Sequence, residues 1–263
     1  MSRAALVHSG DIPWPPSVHE FFPPDLFGGN GPWFTKFTLL VWLAVALIIV
    51  FFLVAYRDPK MVPGKMQWIA ESIYGFNRND IARDVIGHEG IKFAPYLATL
   101  FTFIAVTNIF SIIPGIQISP NSHIAFPAML AIITYVLYIY WGIRRHGFGK
   151  FVKQSLILPD VPWWLLPLLI VIEFAQVFVF RPITLALRLF ANMFAGHIVL
   201  LVFTLGGFLI AGAGNWFIKP ISVVSWALAI LITFLEALIC LLQAYVFVML
   251  TSSYLQTSLA EEH

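Results

Sequence analysis

The stretch WWLLPLLIVIEFAQVFVFRPITLALRLFANMFAGHIVLLVFTLGGFLIAG, residues 163–212, decides the fold. It is almost unbroken apolar sequence, interrupted by Glu173, Gln176, Arg181, Pro182, Arg188, Asn192 and His197. As a helix rising 1.5 Å per residue it would measure about 75 Å, against roughly 30 Å of bilayer hydrocarbon. A second run, residues 221–258, would reach about 57 Å by the same rule. Each run is therefore either two spans or one steeply tilted helix. Two spans in the first run would need a tight reversal near Pro182, with Arg181 in the turn. Prolines kink membrane helices as readily as they end them. Gly206-Gly207 marks the fraying end of the run.

Composition agrees with burial in lipid. Of 263 residues, 60% are hydrophobic and 11% charged, with a mean hydropathy of +0.87. A soluble domain carries about a quarter of its residues charged. The net charge of +2 identifies no partner, because placement of charge matters more than its sum in a membrane protein. No nucleic acid partner is expected. The lone cysteine, Cys240, excludes an intrachain disulfide and a cysteine-based metal cluster.

Outward from the long run, the other segments fall into order. Residues 1–36 are polar and rich in Pro and Gly, an extra-membrane tail with interfacial aromatics. The apolar run at the N-terminus is too short for a signal peptide, so insertion is expected through the first membrane helix. His19 and Glu20 adjoin in the tail without a second histidine at metal-binding spacing, and read as a solvated pair. Its glycines lack the Lys-Ser/Thr of a phosphate loop. Residues 37–56 form an uncharged first crossing, stopped by Arg57, Asp58, Pro59 and Lys60. Residues 65–77 place Met66, Ile69, Ile73 and Phe76 on one helical stripe, in a segment too polar to span. We read it as a helix lying on the membrane surface.

Residues 93–113 are the second crossing and residues 124–143 the third, forming a hairpin. The second carries Thr99, Thr102, Thr107, Asn108 and Ser111. Beyond Arg144-Arg145-His146, a short basic loop is expected up to Asp160. Ten Lys and Arg lie in the segments following crossings one and three, against three on the opposite side. Positive charge marks the cytoplasmic side, which puts the N-terminus outside and the C-terminus inside.

On a helix of 100° per residue, Arg181, Thr184, Arg188, Asn192 and Val199 fall near one stripe. His197 turns to nearly the opposite side from Arg188. In the last run Glu236 and Gln243 share a face, with Thr233 and Cys240 nearby. Arg188 and Asn192 can thus face one partner, while His197 and Glu236 can face each other across two packed helices. An arginine cannot shed its proton in a protein, and an ionisable group at membrane depth marks a pathway by default. The bland alternative pairs Arg188 with Glu173 or Glu236 inside the bundle. Arg181, nearer the interface, reads as a snorkelling anchor. Gln176, Asn192 and Gln243 are candidates for interhelical hydrogen bonds, and for Gln176 that is the preferred reading. Carboxylates and imidazoles relay protons, and a fixed cation among them acts as a barrier.

RPITLALRLFANMFAGHIV resembles the arginine segment of the a subunits of F-type ATP synthases. LEALICLLQAYVFVMLTSSYL is similar to their last helix. PGKMQWIAESIYGF resembles their surface helix, and KFAPYLATLFTFIAVTNIFSIIPG the span that follows. The resemblance implies an all-α integral membrane protein: one N-terminal crossing, a surface amphipathic helix, a transmembrane hairpin, and two long tilted helices facing the c-ring. It implies a non-catalytic proton-channel subunit of the Fo sector, multi-pass in a bacterial plasma membrane and without a cofactor. The implied partners are the c-subunit ring, the b subunits of the peripheral stalk, other ATP synthase subunits and the lipid bilayer. Protons are the implied transported ion.

By the same resemblance, Arg188 matches the family's essential arginine, with Asn192 and Gln243 matching polar residues near it. His197 and Glu236 match the pair lining the outside half-channel, in the reverse of the order that many bacterial members carry. Glu173 matches an acidic residue of the cytoplasmic half-channel. Ser111 stands where some members have aspartate, and Asn108, Ser111 and Gln176 are candidate lining residues. A stand-alone proton-coupled transporter is the alternative, although the halves show no internal repeat of the kind such folds use. No Gly-x-Ser-x-Gly or His-Glu-x-x-His pattern points to a hydrolase.

Overall fold

A computed structural model describes residues 36–113, 119–156, 165–212 and 219–259. The N-terminal tail with His19 and Glu20, most of the stretch leading to Asp160, and the last four residues lie outside the described residues. Among the described residues every regular element is helical. Five helices are long and apolar enough to cross a membrane.

Helix α1 (Lys36–Ala55) buries little beyond Phe37, Leu40, Ala44 and Ala55, and packs Leu40 and Ala44 on Phe110. Most of its other aliphatic side chains, Leu39, Leu47, Ile49, Val50, Leu53 and Val54 among them, stand exposed, as they do on a helix whose solvent is lipid. Helix α2 (Lys65–Phe76) keeps Met66, Trp68 and Ile69 exposed while burying Gln67 and Ala70. It does not stop near residue 77. The chain continues as a π-helical stretch, Asn77–Ile86, because Ile81 and Ala82 are fully buried in the core and Asn77 Nδ2 donates to the Ile73 carbonyl at 2.8 Å. The Arg and Asp residues of that stretch hid these anchors from the hydropathy pattern. At Gly87, φ is +92°, a conformation glycine adopts without steric cost.

The second crossing begins with a 3-10 turn, His88–Phe93, and continues as α3 (Ala94–Ile109). Helix α4 (Ala125–His146) ends at Gly147, φ +80°. Where a basic loop was expected, the chain forms α5 (Phe148–Leu156). Phe151 is buried against α4 at Gly142, where any added Cβ would overlap its ring. Nine residues are too few for periodicity to declare a helix, so tertiary packing decides this one.

The long runs are single helices. From α6 (Leu166–Ala175) the chain passes through a π-helical turn, Gln176–Phe180, into α7 (Arg181–Gly212) without reversal. Pro182 has no N–H to continue an α-helical ladder. The turn before it widens, and Arg181 N donates to the Gln176 carbonyl, five residues back. Leu166–Gly212 is 47 residues and α8 (Lys219–Leu259) is 41. At about 70 and 62 Å, each is roughly twice as long as bilayer hydrocarbon is thick.

Helices α7 and α8 run antiparallel and touch through small residues. Gly196 meets Glu236, and Gly207 admits the Trp226 indole. Ser225 Oγ donates to the Phe203 carbonyl at 2.7 Å. The core joins α3, α4, α7 and α8 through Leu97, Ile104, Tyr138, Leu189, Phe247 and Leu255.

Candidate functional site

The inward face of α7 is apolar and anchors the helix: Leu185, Leu189 and Met193 are buried. Their positions force the residues between them outward. Thr184, Leu187, Arg188, Ala191, Asn192, Ala195 and Val199 are exposed, forming one face of the bundle. Among the described residues Arg188 has no carboxylate within ion-pair distance. Its pairing with Glu173 or Glu236 is therefore not formed.

Arg181, expected to be a snorkelling anchor, is half-buried and lies over the Tyr254 ring at 5.1 Å. The packing that holds it includes Tyr138, whose hydroxyl donates to the Val177 carbonyl. The carbonyl belongs to the π-helical turn, where the ladder is loosened.

One turn beyond Arg188, Asn192 Nδ2 donates to Gln243 Oε1 at 2.7 Å. Gln243 is 2% exposed, and its own Nε2 finds no acceptor among the described residues. On the same face of α8, Glu236 is 3% exposed and neither carboxylate oxygen accepts a hydrogen bond. A Cβ at Gly196 would come within 3.3 Å of Glu236 Oε1, so the carboxylate lies against α7 next to half-buried His197. Neither Glu236 oxygen is hydrogen-bonded to His197. A buried carboxylate with no donor costs several times an ordinary unmade hydrogen bond, and such a group calls for a water or a proton.

A set of buried polar groups adjoins Glu236. Cys240, one turn along α8, donates through Sγ to the Asn108 carbonyl at 3.4 Å and touches Ser111 Oγ at 3.7 Å. Asn108 Nδ2 donates to the Cys240 carbonyl. Asn121 Nδ2 donates both to Asn108 Oδ1 at 2.8 Å and to Thr107 Oγ1 at 2.9 Å. Ser119 Oγ closes the set on the Thr107 carbonyl. This polar ladder links the α3–α4 connection to the middle of α8. Asn108 and Ser111 were singled out from sequence. Asn121 and Ser119 were not, because a Pro-Asn-Ser segment between two apolar runs reads as an ordinary turn.

Glu173 and Gln176 stand apart from this ladder. Glu173 is half-buried and Gln176 exposed, with no side-chain hydrogen bond among the described residues that would make it interhelical glue. They lie about 22 and 18 Å before Arg188 along the helix axis, while His197 lies about 14 Å beyond it. Among the described residues no group of three His, Cys, Asp or Glu could hold a metal ion.

The family model described as ATP synthase A chain matches residues 38–256. Curated relatives named ATP synthase subunit a are similar over nearly their whole length. The one from Nocardioides sp. is 40% identical, covering 97% of this chain and 96% of the relative. The relative from Streptomyces lividans is 41% identical over 94% of this chain and 88% of its own. That from Maricaulis maris is 40% identical over 94% and 96%.

Proposed function

The chain belongs to the ATP synthase A chain family, and from that premise we propose how its side chains move protons. It is the proton-channel stator subunit of the membrane Fo sector, and the stand-alone transporter reading is set aside by the family match. It is a membrane protein with Fo partners. The finer assignment is to a bacterial plasma membrane, N-terminus outside, with the exposed face of α7 against a c-subunit ring and with b subunits alongside. The chain carries no nucleotide motif, and its role is non-catalytic.

A proton enters along the polar ladder from Ser119 and Asn121, past Asn108 and Ser111, to Glu236 and His197. It is handed to a carboxylate on the rotor, which becomes neutral and can turn into lipid. After nearly a full rotation the carboxyl meets a second inlet near Glu173 and Gln176 and loses its proton. The ionised carboxylate then passes Arg188, whose charge makes that desolvated position tolerable. Because arginine cannot release its proton, Arg188 also blocks direct passage between the inlets. Each proton descending 100 mV releases about 2.3 kcal/mol, which drives rotation.

The observation that carries this reading is the guanidinium of Arg188: exposed on a largely apolar face, with no carboxylate among the described residues to satisfy it. A permanent cation at membrane depth costs at least about 2.5 kcal/mol without a partner, so the partner belongs to another molecule. Replacing Arg188 by Ala is expected to abolish proton-driven ATP synthesis in inverted vesicles while admitting a passive proton leak. Normal synthesis by that variant overturns the role.

A further inference from the structure

Away from the proton-handling residues, the 3-10 turn His88–Phe93, the end of α4 and Leu259 of α8 line a cleft of about 210 Å³. Its walls include Lys92, Arg144, Arg145 and Glu89, over the apolar rings of Phe93 and Trp141. Arg145 pairs with Glu89. Neither Lys92 nor Arg144 has a carboxylate partner among the described residues, so by those residues the cleft holds two cations in excess. Arg144 is held in place: its guanidinium lies over the Trp141 ring at 5.4 Å and donates to the Tyr140 hydroxyl. Trp141 in turn meets Phe93 edge to face at 5.1 Å. From Arg144 a stripe of exposed apolar side chains descends α4 at helical spacing: Tyr140, Val136, Ile133 and Met129.

We propose that this cleft binds the phosphate of one anionic phospholipid between Lys92 and Arg144, with an acyl chain lying along the α4 stripe. The aromatic pair lies beside the charged end of α4, and tryptophan rings gather where membrane helices meet lipid headgroups. Basic clefts between membrane helices recognise anionic headgroups in this way. A free inorganic anion would use the two cations and leave the apolar stripe idle, and a zwitterionic lipid would bring its own cation into a cleft already positive. The proposal does not depend on how protons move through the chain.

The test uses the assembled complex in detergent, stripped of lipid and examined by native mass spectrometry. Phosphatidylglycerol and phosphatidylcholine of identical chains are added back separately, with and without millimolar inorganic phosphate. Wild type is expected to retain phosphatidylglycerol preferentially, undisturbed by phosphate, and the K92Q/R144Q double variant to lose about thirtyfold in apparent affinity. The charge-preserving variant R144K should retain most of the binding. Equal retention of the two lipids by wild type overturns the proposal without recourse to any variant. So do displacement by phosphate alone, which would mark a free-anion site, and unchanged retention by K92Q/R144Q. Proton-driven synthesis by the same variants in inverted vesicles reports separately on the channel.

Discussion

Asn192 Nδ2 donates to Gln243 Oε1 across 2.7 Å, tying the exposed face of α7 that bears Arg188 to the buried face of α8 that bears Glu236. The bond crosses the contact between the two longest helices. It fixes the rotation of α7 one turn from the guanidinium, and so fixes where that charge points.

Asn192→Ala leaves the Gln243 amide buried with neither end satisfied, which costs about 1–3 kcal/mol at such a site. Asn192→Ala and Gln243→Ala should each lower proton-driven ATP synthesis. Their combination should do no more damage than the worse of the two, with a coupling of roughly 0.5–2 kcal/mol in a double-mutant cycle on the rates. Strictly additive losses would mean that the bond does not act as one unit.

Gly196 is the point where α7 comes closest to Glu236, and a methyl there would sit 3.3 Å from the carboxylate oxygen. Gly196→Ala should assemble normally yet slow synthesis severalfold, because the carboxylate must yield by a few tenths of an ångström. Gly196→Val, with its branched side chain stiff at χ1, should abolish it. ATP-driven acidification of inverted vesicles distinguishes the two. A fully active Gly196→Val would place the working carboxylate elsewhere.

Asn121 makes two hydrogen bonds with one amide group, to Asn108 and Thr107. Asn121→Ala leaves both acceptors buried without that donor, and proton conduction through Fo should fall about tenfold or more. The fall should occur at unchanged levels of assembled complex. Unaltered conduction, measured as dye-reported proton uptake, would separate this ladder from the inlet.

The membrane helices were legible because each is a long apolar run. The single-helix nature of the 163–212 run turned on one local device, the π-helical turn that accommodates Pro182, which composition does not disclose. Arg188, Glu236 and Gln243 were legible as polar exceptions in apolar surroundings. The placement of Arg181 over Tyr254 and the role of Asn121 were not, since both depend on which residues meet across 73 and 13 positions of chain. Helix α5 was hidden for a related reason: Phe151 gains its burial from Gly142, on a neighbouring helix.

At Gly207 the α7–α8 contact is closed by the Trp226 indole, which occupies the space of any Cβ. Gly207→Val should overpack that end of the pair by about 1–3 kcal/mol, lowering the detergent melting temperature and the yield of complex. Gly207→Val with Trp226→Leu should recover part of the loss. A single variant as stable as wild type would contradict the close approach.

The placement of Glu236 against Gly196, one residue before His197, supports a harsher test. Glu236 lies against Gly196 with both oxygens lacking a hydrogen-bond partner, and His197 is the next residue on α7. If the pair works through one shared aqueous pocket, what matters is that an acid and a base are both present, not which helix carries which. Each single exchange, His197→Glu or Glu236→His, duplicates one type and removes the other. Two carboxylates in one buried site repel, and two imidazoles provide no anion to balance a proton. Synthesis should therefore drop about a hundredfold in each single variant, the scale on which a positioned acid or base contributes. The double exchange restores one of each and should regain at least about a tenfold share of that loss. The rates to compare are those of proton-driven ATP synthesis in vesicles matched for complex content. A double variant no better than the worse single one would mean that the two groups serve separate steps, and that Glu236 alone receives the proton.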